Sequence, residues 1–215
     1  MSDQLYLSPS NRVYASDGRE FDPWDWSWTH LDQRLQQPDG LSPASPLEAL
    51  AALGESGRSR KVPIGVIGPR DATESQLATA GELGRALAAL GLTVICGGKS
   101  GVMEAVARGV HEAGGLCVGL LPESDWREAN QFVTLPIATG IGKARNVLIA
   151  QSSAALVAVG GQYGTLSEIA FGLHFDKPVF GLGDVPDLAD IRKAETVDEV
   201  CRGLAAYLLR LPDLS

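Results

Sequence analysis

From residue 62 onward, short apolar segments alternate with longer segments of helical periodicity, and this alternation constrains the fold more than any other feature. Segments 62–67, 92–96, 116–121, 154–159 and 178–182 have the length and composition of buried strands. Helical patterns cover 73–90, 102–113, 142–152 and 165–175, a short strand is predicted over 132–135, and a last helix follows Thr196. Continuous apolar strands joined by helices predict an α/β fold, a Rossmann-like parallel sheet with helices on both faces.

The first sixty residues differ in character and predict an irregular N-terminal extension. The expected domains are therefore 1–60, ending in a glycine-rich linker over 54–61, and a Rossmann-like nucleotide-binding domain over 61–215. Trp24, Trp26 and Trp28 alternate, so they would share one face of an extended segment. We expect these rings to pin an arm to the domain or to a second subunit, and an aromatic platform for a ligand ring is the alternative.

Glycine-bearing turns follow three of the predicted strands, at 68–69, 97–101 and 160–164. The carboxyl ends of parallel strands meet at one edge of a sheet, where such folds bind ligands. A helix start also offers unpaired N–H groups and the positive end of the helix dipole, and glycine lets an anion approach the backbone. The turns therefore predict a phosphate-binding site.

Two charged residues accompany these turns. Glu168 lies about one helical turn beyond the turn at 160–164, where it would serve a second part of the ligand, such as a sugar, or cap the helix at Thr165 in a Thr-x-x-Glu capping box. Arg145 lies at a helix start, where the dipole disfavours a cation, which favours an anionic partner over a solvated side chain. With Lys143, it would neutralise a phosphate or hold Glu168 in place.

Several classes of protein are excluded by motif or composition. Gly98-Lys99-Ser100 is not a Walker A motif, because position 93 is Thr93 rather than glycine, and neither the dinucleotide fingerprint nor the hydrolase nucleophile elbow occurs. The net charge of −8 argues against nucleic acid as a partner. The histidines lack metal-ligand spacing, so no metal is expected. The cysteines are widely spaced, and no apolar run approaches membrane-spanning length, which predicts a cytoplasmic protein without a membrane partner.

Residues 62–182 resemble the LONELY GUY (LOG) family of nucleoside 5′-monophosphate phosphoribohydrolases. The segment 97–103 (Gly-Gly-Lys-Ser-Gly-Val-Met) is similar to a family glycine turn that ends in Gly-Leu-Met. The segment 160–168 (Gly-Gly-Gln-Tyr-Gly-Thr-Leu-Ser-Glu) is similar to the family motif Pro-Gly-Gly-x-Gly-Thr-x-x-Glu. Arg145 corresponds to the family arginine, and it precedes Glu168 by 23 positions, as in the family.

The chain also departs from the LOG pattern. Gly160 replaces the proline, Gln162 the second glycine, Asn146 the lysine after the arginine, and Ala144 the acidic residue before it. These changes resemble a sister group that contains the molybdenum cofactor carrier proteins, which bind a pterin with a phosphate tail and need not catalyse a reaction.

The resemblance implies two functions. The first is hydrolysis of a nucleoside 5′-monophosphate to free base and ribose 5-phosphate, with Arg145 and Glu168 as catalytic residues and no required cofactor. The second is a non-catalytic carrier of molybdopterin or a nucleotide. Either implies a small phosphorylated ligand and a homodimer or higher homo-oligomer. The expected ligand-binding residues are Gly68, Gly97, Gly98, Lys99, Ser100, Gly101, Met103, Lys143, Gly160, Gly161, Gln162, Tyr163, Gly164 and Thr165.

Overall fold

The computed structural model describes residues 4–30, 40–161 and 163–212, and the chain divides into two compact units. The smaller unit contains the chain up to Lys61 and again from Cys201 onward, and the larger unit is Val62–Val200. The return of the chain to the smaller unit after residue 200 is a grouping that periodicity does not indicate.

The smaller unit contains an antiparallel sheet where the sequence suggested an irregular extension. Its strands are β1 (Leu5–Leu7), β2 (Val13–Ala15), β3 (Arg19–Asp22), β4 (Ser27–His30) and β5 (Ser42–Ala44), in the order β4-β3-β2-β1-β5. Helix α1 (Pro46–Glu55) follows. It was not predicted, although Ser45 and Glu48 form a capping box and Pro46 lies in the first turn, which are sequence signals of a helix start.

The tryptophans do not share one face, because the chain turns between β3 and β4. Trp26 adopts a positive φ of 50° in that turn. Trp26 and Trp28 meet the Phe21 ring edge-on, with centroids 5.9 and 5.1 Å away, and Trp28 Nε1 donates to the Leu209 carbonyl. Trp24 is 56% exposed. Two of the three rings are therefore partly buried and pack against the core of the smaller unit.

The larger unit is the predicted parallel α/β domain. Its elements are β6 (Pro63–Ile67), α2 (Glu74–Ala89), β7 (Thr93–Cys96), α3 (Val102–Glu112), β8 (Cys117–Leu121), β9 (Leu135–Ala138), α4 (Arg145–Ser152), β10 (Ala155–Val159), α5 (Tyr163–His174), β11 (Val179–Leu182) and β12 (Ile191–Ala194). Helix α6 (Val197–Leu208) begins in this unit. The strands pair in the order β12-β11-β10-β6-β7-β8-β9, and every pair is parallel. The Rossmann-like fold is thus confirmed.

The element boundaries differ from prediction in four places. The helix predicted to begin at residue 142 begins at Arg145, after a 3₁₀ turn over Gly142–Ala144. The strand predicted over 132–135 lies further along the chain, at Leu135–Ala138 (β9). Asn130 accepts hydrogen bonds from the Phe132 and Val133 amides, and these bonds fold the start of the predicted segment into a turn. Strand β12 was not predicted. Helix α5 begins at Tyr163, two residues before the predicted start.

The strand order places a crevice beside β6. From β6 the chain proceeds outward through β7, β8 and β9, and it then crosses back to add β10, β11 and β12 on the other side of β6. The order therefore reverses between β6 and β10, and open parallel sheets bind ligands outside the carboxyl ends of strands at such a point. Among the described residues, no helix has the length and apolarity needed to cross a membrane.

Candidate functional site

A cleft of about 690 Å³ opens at the carboxyl ends of β6 and β10. Its walls are the turn after β6 (68–71), the approach to α4 (143–146) and the first turns of α5 (163–168), together with Met103 and Phe171. This volume is in the range of small-molecule sites. The turn geometry therefore brings two of the three predicted glycine segments to one place.

Arg145 and Glu168 form a buried ion pair inside this cleft. Nη1 of Arg145 lies 3.0 Å from Oε1 of Glu168, and each residue is 6% exposed. Burial raises the pKa of Glu168 to about 7, although the Arg145 cation acts in the opposite direction. The interpretation of Arg145 as a solvated cation is therefore wrong.

The capping-box interpretation of Glu168 is also wrong. Thr165 is the third residue of α5 rather than the residue that precedes it, and the Glu168 carboxylate accepts from Arg145. The predicted arrangement in which Arg145 holds Glu168 is present in the structure, and neutralisation of a phosphate by Arg145 and Lys143 stays a prediction.

The turn after β7 and the start of α3 pack against the guanidinium of the ion pair. A Cβ atom on Gly97 would collide with the Arg145 guanidinium and would lie 2.6 Å from the Met103 sulfur. Met103 Sδ is itself 3.9 Å from Nη2 of Arg145. Gly97 thus contributes by leaving room for the guanidinium, and Met103 by packing against it.

Two buried polar atoms of the cleft have no hydrogen-bond partner among the described residues. They are Nε of Arg145 and Oγ1 of Thr165, and both residues line the cleft. Buried polar groups are nearly always paired in proteins, so these two atoms indicate a missing polar partner such as a ligand or water. Lys143 adds an exposed cation at the rim of the same cleft.

The remaining predicted residues lie outside the cleft lining as the structure describes it. Lys99 donates to the Glu128 carbonyl at 2.9 Å and pairs with the Glu123 carboxylate at 3.1 Å. Gly98 packs against Leu121, and Gly101 lines a separate groove of about 470 Å³ between α2 and α3. Ser100 is exposed.

The beginning of the turn after β10 also faces other neighbours. Gly160 contacts the Gln76 side chain, and Gly161 contacts Pro186 in a hollow beside the cleft that also includes Tyr163 and Gly164. Gln162 lies outside the described residues. Among the described residues of this turn, Tyr163 is the first that lines the cleft, and it is 93% exposed.

Several cleft residues were absent from the predicted set. Asn146 and Ser167 join Arg145 in a hydrogen-bonded chain, and Phe171 continues the line of Tyr163 and Ser167 at four-residue spacing along α5. That spacing was the available signal for Phe171. Arg70 and Asp71 follow the turn at 68–69.

Comparisons with known proteins agree with this architecture. Residues 61–203 match the model of the SLOG cluster4 family. A molybdenum cofactor binding protein from the phototrophic bacterium Rippkaea orientalis has a similar structure, with a TM-score of 0.66 and 33% identity, over 69% of this chain and 98% of that one. The molybdenum cofactor carrier protein of Chlamydomonas reinhardtii has a TM-score of 0.64 and 39% identity, over 70% of this chain and 99% of that one. An uncharacterised protein of Archaeoglobus fulgidus is 43% identical over 136 residues, which cover 63% of this chain and 89% of that protein.

Proposed function

The chain belongs to the SLOG cluster4 family, and on that premise we propose that it binds the molybdenum cofactor, a pterin with a phosphate tail, in the cleft between β6 and β10. Two similar structures, at 33% and 39% identity, are described as proteins that bind or carry this cofactor. The observation that carries the proposal is the cleft itself, which is lined both by the exposed start of α5 and by the two buried donors without a partner among the described residues, Nε of Arg145 and Oγ1 of Thr165.

The residues of the cleft fit such a ligand. The first-turn N–H groups of α5 have no partner within the helix, and Lys143 lines the same cleft as these residues, so a phosphate would be held there. The unpaired Nε of Arg145 and Oγ1 of Thr165 would bond polar atoms of the same ligand. Tyr163 and Phe171 offer ring faces for the flat pterin. The molybdenum centre is carried as cargo, and the protein residues bind and orient the pterin.

A second candidate is hydrolysis of a nucleoside 5′-monophosphate, and the buried Glu168 favours it. A carboxyl group with a pKa near 7 in a ligand cleft is suited to general acid–base work at neutral pH. In this reaction water adds to the ribose C1′ atom, the C1′–N bond breaks, and the base leaves with a proton. Glu168 would stabilise the positive charge on the ribose or position the water.

One experiment separates the two candidates. Molybdenum cofactor released anaerobically from a molybdoenzyme is mixed with the protein, and the fractions of a gel filtration are assayed for the fluorescent oxidised pterin. In parallel, adenosine 5′-monophosphate and its N6-modified forms are incubated with the protein, and free base is measured by chromatography.

Co-elution of the pterin with wild-type protein, together with intact nucleotides, would support the carrier. Release of base that Glu168→Gln abolishes would support the hydrolase. Arg85→Ala is the control, because Arg85 forms an exposed ion pair with Glu112 away from the cleft. If the protein neither retained the pterin nor released free base, both candidates would be overturned.

A further inference from the structure

A chain of hydrogen bonds connects the start of α4 to the first turn of α5. Nη1 of Arg145 donates to Oδ1 of Asn146 at 2.8 Å, and Nδ2 of Asn146 donates to Oγ of Ser167 at 3.0 Å. Oγ of Ser167 then donates to the carbonyl of Gly164 at 2.7 Å. The same Nη1 atom is bonded to Glu168, so the chain begins at the buried ion pair.

The direction of every bond in this chain is determined by chemistry. A guanidinium can only donate, so the amide of Asn146 must present its oxygen to Arg145 and its NH₂ group to Ser167. The Ser167 hydroxyl therefore accepts from Asn146, and its single proton is directed to the Gly164 carbonyl. A flipped amide would place NH₂ against the guanidinium and would break the chain.

The last bond in the chain fixes a peptide group at the mouth of the cleft. Because a peptide unit is planar and trans, holding the Gly164 carbonyl also fixes the direction of the Thr165 N–H. Thr165 is in the first turn of α5, where N–H groups have no partner within the helix. Within α5 the Gly164 carbonyl faces the Glu168 N–H, as in any α-helix, and the Ser167 hydroxyl adds a second, side-chain bond to the same oxygen. A Cβ atom on Gly164 would meet nothing within 4 Å, so Ser167 supplies the added restraint on this peptide from a side chain.

We propose that Asn146 and Ser167 are positioning residues that orient the Gly164–Thr165 peptide and the Arg145 guanidinium toward one ligand. This deepens the proposed function and rests on it for the role of the ligand. It also gives a physical role to Asn146, which stands where the LOG pattern has a lysine. A lysine could donate to Ser167 but could not accept from Arg145, so this chain of bonds requires a side chain that does both.

The first test needs no ligand. In ¹H–¹⁵N spectra of the 215-residue protein, we expect the Thr165 amide signal to shift in both Ser167→Ala and Asn146→Ala and to return toward its wild-type position in Ser167→Thr, which keeps the hydroxyl. Ser56→Ala is the matched control, because Ser56 makes the same kind of bond to a carbonyl three residues earlier at the end of α1. If the Thr165 signal stayed unmoved in both alanine variants, the proposed role of these hydrogen bonds in orienting the Gly164–Thr165 peptide would be overturned.

The second test measures ligand binding with the released cofactor and with inorganic phosphate as probes. Ser167→Ala and Asn146→Ala should each weaken binding about fivefold, the size of one lost hydrogen bond, and the double variant should weaken it by less than the product of the two. Ser167→Thr should restore binding, whereas equal binding by all variants would overturn the positioning role. If the wild type bound neither probe, the result would instead count against the proposed function. The amide shifts would still decide whether the chain of hydrogen bonds orients the Gly164–Thr165 peptide.

Discussion

The turns after β7 and β10 look alike in sequence but differ in the structure. Each glycine segment spans five residues, 97–101 and 160–164, and contains three glycines; the first precedes α3, and the second ends in the first two residues of α5. The first is filled: Gly98 packs on Leu121, and Lys99 is paired with Glu123 and Glu128. The end of the second is open, since a Cβ atom on Gly164 would meet nothing within 4 Å.

The difference shows that glycine serves two separate needs in these turns. After β7 it permits close packing, and Gly97 makes room for the Arg145 guanidinium. After β10 it leaves the start of α5 uncovered and available to an anion. We therefore expect stability to depend on the first turn and ligand affinity on the second.

The largest effect should come from Arg145, which contacts the first turn and forms an ion pair with Glu168 beyond the second. Arg145→Ala leaves the buried Glu168 carboxylate without its cation, so we expect the free energy of unfolding to fall by about 3–5 kcal/mol at pH 8. Urea denaturation measures this change. At pH 5 the loss of unfolding free energy should be smaller, because Glu168 is then protonated. A loss under about 1 kcal/mol at pH 8 would contradict a buried ion pair between Arg145 and Glu168.

The pH dependence of stability should report Glu168 directly. Its pKa is raised by burial to about 7, above the value near 4.3 expected in the unfolded chain. The folded state therefore holds the proton more tightly, and the contribution to stability that is present below about pH 4.3 is lost as the pH rises to about 7. We expect up to about 3 kcal/mol over this window.

Denaturation of wild type and Glu168→Gln across pH 4–8 measures this contribution, because the glutamine variant lacks the titrating group. The stability of the wild type should fall relative to the variant as the pH rises. Parallel profiles for the two proteins would contradict the raised pKa.

A pair of glycine substitutions tests the comparison of the turns. Gly98 has a φ of 69° and its added Cβ would lie 2.6 Å from Leu121, so Gly98→Ala should destabilise the protein by about 2 kcal/mol. Gly164→Ala has open space, and its stability should stay within about 0.5 kcal/mol of wild type. Thermal unfolding gives both values, and equal losses at the two sites would break the distinction between a filled and an open turn.

The smallest expected effect separates two lysines. Lys143→Ala removes a cation from the cleft rim and should weaken phosphate binding about tenfold, equivalent to ~1.4 kcal/mol. Lys99→Ala removes a cation already paired with Glu123 and Glu128, and its affinity should equal that of wild type. Titration calorimetry with inorganic phosphate measures both, and a greater loss for Lys99→Ala would place the anion at the other turn.

Much of the larger unit was predictable because its strands and helices carry local signals. The apolar segments and their following glycines located β6, β7, β8, β10 and β11 to within about two residues. Strand β12, with Arg192 and Lys193 exposed at the sheet edge, lacks the apolar run on which those predictions depended. The short strands of the smaller unit are equally weak signals, since each has three or four residues.

The sequence by itself determined the fold class and the family resemblance, and it offered the contact of Arg145 with Glu168 as one of two alternatives. The tertiary structure decided that Gly164 is the one open glycine of the turn after β10, which lysine lies at the cleft, and that Asn146 and Ser167 link the two helices. The physical reason is the distance along the sequence between interacting residues. Strand and helix patterns depend on neighbouring residues, whereas the neutralisation of Lys99 depends on carboxylates 24 and 29 positions away. Such contacts exist only once the parallel sheet has brought the ends of its strands together.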